Sequence, residues 1–369
     1  MLPLNWQKVR LGDIGKPCMC KRVMKHQTTR YGEIPFYKIG TFGNTADAFI
    51  SKKLFLEYKT KYSFPKKGDI LISASGTIGR AVIYDGKPAY FQDSNIVWID
   101  NDETLVKNDF LFYAYSNVKW NTEHTTILRL YNDNFRNTLI PLPPLNEQIA
   151  IANILSGLDR YLCTLDALIL KKEGVKKALS FELLSQRKRL KGFNQAWQRV
   201  RLGDIANYLT SNLSAEQITQ QGKIKVYDVN NFIGYTDTTF ISDKPYISIV
   251  KDGSVGRVRI LPPKTNILST MGALIANHRT TTEFLFYLLS NFDFKNFTSG
   301  SIIPHIYFKD YKEKTIFLPP LNEQSAIANI LSALDNEITS LKNKKRQFEN
   351  IKKALNHDLM SAKIRVLEK

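Results

Sequence analysis

Two short segments bracketed by glycines carry the side chains in this sequence that are best suited to binding chemistry. Gly76-Thr77-Ile78-Gly79-Arg80 and Gly253-Ser254-Val255-Gly256-Arg257 each set a hydroxyl and an arginine beside turn-forming glycines. Backbone N–H groups, hydroxyls and a guanidinium in such a loop can contact phosphates and base edges of DNA. The same pattern also suits a fold-defining β-turn with a surface salt bridge, and the sequence leaves both interpretations open.

Two other polar sets flank predicted strands and proline pairs. Lys38, Thr41 and Asn44 follow a predicted strand, and their counterparts later in the chain are of different types. Such divergence is expected of residues that read different bases, and also of surface residues that vary without a functional role. A cation stands near a tyrosine in Arg129-Leu130-Tyr131 and again in His305-Ile306-Tyr307, where the ring either stacks on a ligand or fills the core. The predicted DNA-binding residues are Lys38, Thr41, Asn44, Ser73, Ser75, Thr77, Arg80, Arg129, Tyr131, Asp228, Asn231, Lys251, Ser254, Arg257, His305 and Tyr307.

Residue patterns expected of a catalytic site are missing. The Pro-Pro pairs follow leucine, whereas an amino-methyltransferase needs Asn or Asp before them, and no Gly-x-x-x-x-Gly-Lys-[Ser/Thr] phosphate loop occurs. Asp47 with Glu57-Tyr58-Lys59 only loosely resembles a nuclease set, and Cys18-x-Cys20 with His26 lacks a fourth zinc ligand. We therefore expect neither an enzyme nor a cofactor or metal.

The overall charge favours a polyanionic partner. Lys and Arg number 52 against 34 Asp and Glu, a formal net charge of +18. Such an excess favours nucleic acid, with an anionic membrane or simple solubility as alternatives. No segment approaches the roughly 18 apolar residues of a membrane span. The three cysteines form no even disulfide framework, so a reducing cytoplasm is expected.

The chain contains a tandem repeat. The segment beginning Trp6-Gln7-Lys8-Val9-Arg10-Leu11 returns at Trp197, and Leu142-Pro143-Pro144-Leu145-Asn146-Glu147-Gln148 returns unchanged at residues 318–324. The offset between copies falls from 191 to 177, so about 14 residues around Lys52 to Pro65 are absent from the second copy. The front of each copy has diverged, whereas the rear has barely changed.

The elements that must position these residues are of two kinds. The front of each copy is predicted to mix short strands, such as Ile70–Ser73, Asn95–Ile99, Lys225–Val229 and Tyr246–Val250, with short helices at 110–115 and 284–289. Gly76, Gly79, Gly253 and Gly256 are placed where the backbone turns between strands. The fold class is therefore α+β.

The rear of each copy is predicted to form a long helix that begins after the proline pair. Mostly apolar residues alternate at spacings of three and four: Leu155, Leu158, Leu162, Leu165 and Ile169 in one helix, and Leu331, Leu334, Ile338, Leu341, Lys345 and Phe348 in the other, which Leu355 and Leu359 extend. About 40 residues give a helix of about 60 Å. The two helices pair as an antiparallel coiled coil, or each packs on its own domain. Gly174 and the lysines at 172, 176 and 352 predict a break or a partner contact.

The order of these blocks, repeated twice, resembles the specificity subunit of type I restriction-modification enzymes. The resemblance covers almost the whole chain and is most distinctive at the Pro-Pro-Leu-Asn-Glu-Gln junctions. It implies two α/β target-recognition domains that each read half of a split double-stranded DNA target. It also implies helices that act as a spacer, two methyltransferase subunits docked near them, and an ATP-driven nuclease-translocase. The predicted partner-binding residues are Asn146, Glu147, Gln148, Asn322, Glu323 and Gln324.

The resulting division has four parts related by a pseudo-two-fold repeat. Residues 1–141 and 192–317 are predicted recognition domains, and residues 142–191 and 318–369 are predicted spacer helices. A self-contained methyltransferase or nuclease, and a coiled-coil scaffold without DNA binding, remain as alternatives.

Overall fold

A computed structural model describes residues 3–124 and 128–366, and the chain divides into two compact units. The first unit comprises Met1–Leu165 with Lys344–Lys369, and the second comprises Asp166–Asn343. Each unit therefore contains a front segment of one repeat and parts of both long helices. The predicted four-part division of the chain is finer than this and stays a prediction.

The first repeat contains eleven strands and five α-helices among the described residues. In chain order they are β1 Gln7–Arg10, α1 Leu11–Ile14, β2 Gly15–Met19, β3 Ile34–Tyr37, β4 Phe49–Ile50, α2 Lys52–Lys61, β5 Ile70–Ser73, β6 Ala81–Ile83, β7 Tyr90–Phe91, β8 Ile96–Asn101, α3 Asn108–Tyr115, β9 Glu123–His124, β10 Leu128–Arg129, α4 Asn132–Asn137, β11 Leu139–Leu142 and α5 Leu145–Leu184.

The second repeat follows the same plan without a helix equivalent to α2. Its elements are β12 Gln198–Arg201, β13 Ala206–Thr210, β14 Ile224–Tyr227, β15 Phe232–Thr236, β16 Tyr246–Val250, β17 Val258–Leu261, β18 Thr265–Ile267, β19 Met271–Ala276, α6 Thr282–Ser290, β20 Thr298–Ser299, β21 His305–Ile306, α7 Phe308–Tyr311, β22 Thr315–Leu318 and α8 Leu321–Met360. The predicted mixture of short strands, short helices and two long helices is confirmed.

The two repeats build the same sheets. A four-stranded antiparallel sheet has the order β2-β8-β5-β6 in the first and β13-β19-β16-β17 in the second. A three-stranded sheet has the order β4-β3-β7 in the first and β15-β14-β18 in the second, with one antiparallel and one parallel pairing each. Two-stranded pairs β1-β11 and β12-β22 join the start of each repeat to the strand before its long helix.

The central strands β5 and β16 are buried on both faces, which explains their continuous apolar sequences. Ile70 and Ile72 pack in one core while Leu71 packs in another. Ile247 and Ile249 likewise belong to one core, whereas Tyr246 belongs to the second. Because successive side chains on a strand point to opposite faces, a single strand links two cores in each unit.

Helix α2 occupies the stretch that the second repeat lacks. Ser51 caps its N-terminus by accepting a hydrogen bond from the backbone N–H of Leu54 at 3.2 Å. Its residue Phe55 is buried against Phe64. The missing residues in the second repeat therefore correspond to one separate helix, and the sheet order does not depend on it.

Helices α5 and α8 begin directly after their proline pairs and run for 40 residues each. The predicted break is wrong, because α5 continues through Gly174. In the first unit Lys352 pairs with Asp159, and in the second Lys176 lies 2.5 Å from Asp335. The lysines therefore find carboxylate partners on the other long helix.

Both long helices contribute to the core of each unit. Leu155 of α5 packs in the first core with Leu359 and Met360 from the end of α8. Leu331 of α8 packs in the second core with Leu183 from the end of α5. Packing of each helix on its own domain alone is therefore excluded. Within residues 3–124 and 128–366, no helix combines the length and apolar character that a membrane crossing requires.

Candidate nucleic-acid interface

The glycine loops are sharp turns that connect β5 to β6 and β16 to β17. Gly76, Gly79, Gly253 and Gly256 have φ of +68°, +83°, +83° and +80°, the left-handed region that favours glycine. The N–H of Gly79 donates to the carbonyl of Ser73, and that of Gly256 to the carbonyl of Val250, each at 2.9 Å. Both turns predicted from the sequence are confirmed.

In the first unit, hydrogen bonds bring the three predicted segments together. Gly76 N donates to Leu128 O at 3.1 Å, and Leu130 N donates to Ala74 O at 2.9 Å, so the loop lies beside the Arg129 segment. Arg80 Nη1 donates to Phe42 O at 2.8 Å, which attaches the segment from Lys38 to Asn44. Residues separated by about 90 positions thus form one surface.

The second unit assembles the equivalent segments through equivalent bonds. Ile306 N donates to Lys251 O at 2.9 Å, and Gly253 N donates to Pro304 O at 2.9 Å. Arg257 Nη2 donates to Asn230 Oδ1 at 2.8 Å, which attaches the segment after β14. The same three parts of each repeat therefore converge, although their side chains differ.

Three of the predicted DNA-binding residues are buried or hydrogen-bonded to nearby residues of the chain. Ser73 is buried, accepts from Arg80 N at 2.9 Å and donates to the carbonyl of Thr77. Ser75 is also buried. The Asp228 carboxylate accepts from the backbone N–H groups of Asn230 and Asn231 at 2.7 and 2.6 Å. The polar atoms of these three residues are buried or engaged in local hydrogen bonds, so the structure does not support base contact by them.

Most of the other predicted residues are accessible to a ligand. Tyr131 and Tyr307 are 41% and 49% exposed, so the alternative that these rings fill the core is wrong. Lys38, Thr41 and Lys251 are half-buried. The exposed members of the set are Asn44, Thr77, Arg80, Arg129, Asn231, Ser254 and Arg257. Lys38 also pairs with Asp47 at 2.8 Å, and this hydrogen bond lowers the pKa of the Asp47 carboxyl.

His305 is tied to the glycine loop of the second unit. Its Nδ1 lies 2.7 Å from Asp252 Oδ1, and the two residues form an isolated antiparallel bridge. Ser75 and Arg129 form the matching bridge in the first unit. The ring of His305 stacks near that of Tyr307, with centroids 6.5 Å apart. Both segments are therefore held rigidly against their loops.

A basic groove of about 320 Å³ lies next to this bridge, and two of its lysines, Lys309 and Lys312, were not among the residues predicted from the sequence. Lys251, Lys309 and Lys312 line it together with the aromatic residues Tyr208, Tyr307 and Phe308. Lys309 Nζ lies 5.4 Å from the ring centre of Tyr307. The signal in the sequence that could have identified Lys309 is its position two residues after Tyr307, on the short helix α7. The groove combines cations for phosphates with a ring for stacking.

The predicted partner-binding residues at the junctions require a correction, because Glu147 and Glu323 are buried. Glu147 accepts from Trp6 Nε1 at 3.0 Å and from Arg365 Nε at 2.6 Å. Glu323 accepts from Trp197 Nε1 at 3.0 Å and from Arg189 Nη2 at 2.6 Å. Glu147 thus joins three distant chain segments and Glu323 joins two, each inside its own unit, and neither carboxylate is open to another protein.

Gln148 and Gln324 are buried in the same way. Gln148 Nε2 donates to Pro143 O and Leu105 O at 2.9 and 3.0 Å, and its Oε1 accepts from Lys107 N at 2.8 Å. Gln324 Nε2 donates to Pro319 O at 2.8 Å, and its Oε1 accepts from Thr281 N at 3.0 Å. Of the six junction residues only Asn146 and Asn322 are exposed, so their role in partner binding stays a prediction.

A family model for the type I restriction modification DNA specificity domain matches twice, over residues 3–172 and 194–350. The chain belongs to this family. Each match begins at the start of a repeat and extends into its long helix. Both repeats therefore contain a domain of the type I specificity family.

Curated relatives carry the same family description. A putative type I restriction enzyme specificity subunit from Haemophilus influenzae is 64% identical over 152 residues, which span 41% of this chain and 40% of that protein. The putative MjaX specificity subunit from Methanocaldococcus jannaschii is 29% identical over 405 residues, 99% of this chain and 95% of that protein.

Solved structures share the fold of this type I specificity family member. The S subunit of a type I restriction-modification system from M. genitalium has a TM-score of 0.64 at 21% identity, covering 97% of this chain and 98% of that chain. A chain from a structure on complex assembly and conformational transition of the type I R-M system has a TM-score of 0.57 at 16% identity, covering 99% and 100%.

Proposed function

We propose that this chain is the non-catalytic DNA-reading subunit of a type I restriction-modification enzyme, and that each repeat reads one half of a bipartite duplex target. One observation carries the proposal. In both units the same two segments converge on a glycine loop, and these three parts bear different side chains in the two units. Two copies of one scaffold with unlike polar surfaces suit two unlike half-sites.

The chemistry of the exposed residues supports readout of DNA. Thr77 and Arg129 of the first surface stand where the second has Ser254 and His305. Guanidinium, imidazole and hydroxyl groups hydrogen-bond to base edges in the major groove with different preferences. Lysines such as those of the basic groove neutralise phosphates and fix orientation. We therefore assign base discrimination to the guanidinium, imidazole and hydroxyl groups, and positioning on the duplex to the lysines.

The long helices are proposed to pair as an antiparallel coiled coil that separates the reading domains and docks two methyltransferase subunits. The pairs Lys352–Asp159 and Lys172–Glu337, the latter at 2.8 Å, support antiparallel pairing because each joins an early part of one helix to a late part of the other. A restriction-translocase component would join the assembled methyltransferase.

Replacement of one recognition domain tests the proposed function. Residues 1–141 are exchanged for the equivalent segment of a relative with a different target, and methylated sites are mapped in cells that express the partner subunits. We expect one half of the target to change and the other to persist, because each surface is built within one unit. Change in both halves would contradict modular reading.

Two control measurements separate the alternative functions. Leu4→Ala, at a fully exposed position, should leave the methylation map unchanged. Methyl transfer by the purified chain alone would establish a self-contained enzyme instead. Indifference of the assembled complex to DNA sequence would favour a scaffold.

A further inference from the structure

The turn between β20 and β21 displays two exposed apolar side chains. Ile302 is 92% exposed and its neighbour Ile303 is 54% exposed. The turn Ser299-Gly300-Ser301-Ile302-Ile303-Pro304 contains Gly300 at φ +89°, and a Cβ there would lie 2.3 Å from the carbonyl oxygen of Ile303. The tight turn therefore requires this glycine.

The turn is held firmly against the glycine loop of the second unit. Gly253 N donates to Pro304 O at 2.9 Å on one side of the loop, and Ile306 N donates to Lys251 O at 2.9 Å on the other. The pair of Asp252 and His305 adds a side-chain link. Ile302 thus lies on a turn that is hydrogen-bonded to the loop carrying Lys251 and Ser254.

We propose that Ile302 is a specificity-determining residue that reads a thymine methyl group in the half-site bound by the second recognition domain. The proposal rests on the proposed function. An exposed isoleucine gains nothing from water, whereas contact with the C5-methyl of thymine in the major groove removes apolar surface of both groups from solvent. The cations around the turn, Lys251 and Lys309, favour a polyanion rather than an apolar protein as the occupant.

The first repeat differs at this position. The offset of 176 that relates Arg129 to His305 and Tyr131 to Tyr307 relates Thr126 to Ile302 in the sequence, and Thr126 lies outside the described residues. A difference between a hydroxyl-bearing and a purely apolar residue at equivalent positions is suited to different base preferences. The inference therefore applies to the second half-site alone.

Selection from randomised duplexes tests the role of Ile302. The chain, assembled with its methyltransferase partners, is presented with a pool of duplexes in which both half-sites of the mapped target are randomised. Ile302→Ala is expected to relax the preference for thymine at one position of the second half-site by about 10-fold, the effect of losing an apolar contact of one or two carbons. Ile302→Val should retain most of the preference, and Leu4→Ala, which also shortens a fully exposed aliphatic side chain, should retain all of it.

A second measurement identifies the methyl group itself. Uracil replaces thymine at the affected position of the target duplex, which removes only the C5-methyl. The wild-type complex should lose about 10-fold in affinity, and the Ile302→Ala complex should lose nothing further.

The outcomes separate this inference from the proposed function. Sequence-selective binding with an unchanged base profile for Ile302→Ala, or a relaxed position at which thymine is not preferred, overturns the role of Ile302 and leaves the proposed function intact. Loss of all sequence selectivity in the wild-type complex would overturn both. A uniform fall in affinity across all duplexes would identify a non-specific contact and would also overturn the inference.

Discussion

At the scale of single residues, the second glycine of each loop is placed against an aromatic ring. A Cβ on Gly79 would lie 2.1 Å from Trp120 Nε1, and one on Gly256 would lie 2.6 Å from the ring of Phe294. Gly76 has a similar positive φ, but a Cβ there would meet no atom within 4 Å. A comparison of substitutions at Gly76 and Gly79 therefore distinguishes the cost of backbone strain from the cost of a steric clash within one loop.

Gly79→Ala is expected to destabilise the chain more than Gly76→Ala. The left-handed backbone costs an alanine about 1 kcal/mol at either position, and the clash with Trp120 adds about 1–3 kcal/mol at position 79 alone. Urea unfolding of the two variants measures the difference. Equal losses would mean that the ring of Trp120 moves aside without cost.

Arg365→Ala is expected to lower the free energy of unfolding by more than Trp6→Phe does, because Glu147 would remain buried without its cation. Trp6→Phe removes one hydrogen bond to the same carboxylate and should cost about 2 kcal/mol. Denaturant titration of both variants provides the test. A smaller loss for Arg365→Ala than for Trp6→Phe would show that water reaches Glu147 when the guanidinium is absent.

At the scale of elements, the spacing of apolar residues predicted a buried face on each long helix but not the role of the lysines on that face. Periodicity identifies which face is buried, whereas ion pairing depends on which residue lies opposite. Lys352 meets Asp159, which also accepts from Tyr113 Oη at 2.7 Å. In the second unit Tyr287 Oη donates to Asp335 at 2.9 Å beside Lys176. The repeated Tyr–Asp–Lys arrangement emerges only from the packed structure.

Lys352→Ala should therefore destabilise the first unit modestly, by about 1 kcal/mol, since the pair is partly exposed and screened by solvent. Lys352→Arg should retain the pairing. Alanine at the neighbouring exposed position Lys353 serves as the matched control and should change stability by less. Thermal unfolding of the three variants checks the order.

Two of the cysteines differ in burial, and their reactivity tests the packing of the core around Cys20. Burial raises the pKa of Cys20 to about 12, so below that pH its thiol stays protonated and unreactive in the folded chain, while Cys163 is exposed on α5. At pH 8, iodoacetamide should modify Cys163 quickly and Cys20 at least 100-fold more slowly, as followed by mass spectrometry. Similar rates for both thiols would indicate that the core around Cys20 opens readily.

At the scale of the whole molecule, the excess of positive charge makes DNA affinity sensitive to salt. Each phosphate neutralised contributes about −0.9 to the slope of log affinity against log salt concentration. Lys309→Ala should weaken binding to all duplexes and reduce that slope by about 1, whereas Lys363→Ala, at an exposed position in the first unit, should leave the slope unchanged. An altered base preference for Lys309→Ala would reassign this residue to base reading.

Much of the architecture could be predicted from the sequence, because the duplication, the proline junctions and the helical periodicity are local patterns. The candidate site was predicted less completely. Glycine loops marked its centre, but no local pattern indicated that Ser73 and Ser75 are buried. Nor did the junction Glu-Gln pairs reveal that their partners lie far away, since Glu147 and Arg365 are 218 positions apart. Long-range partners of this kind carry no signature in a single sequence.

The position of Arg365 has a consequence for synthesis on the ribosome. The second unit can acquire the partner of Glu323 early, because Arg189 is translated before the domain that it completes. Glu147 and Leu155 must wait for Arg365, Leu359 and Met360, which leave the exit tunnel only after every residue of the second unit. The unit whose translation begins first is therefore the later of the two to mature, and nascent chains stalled before residue 359 should expose it to chaperones and proteases.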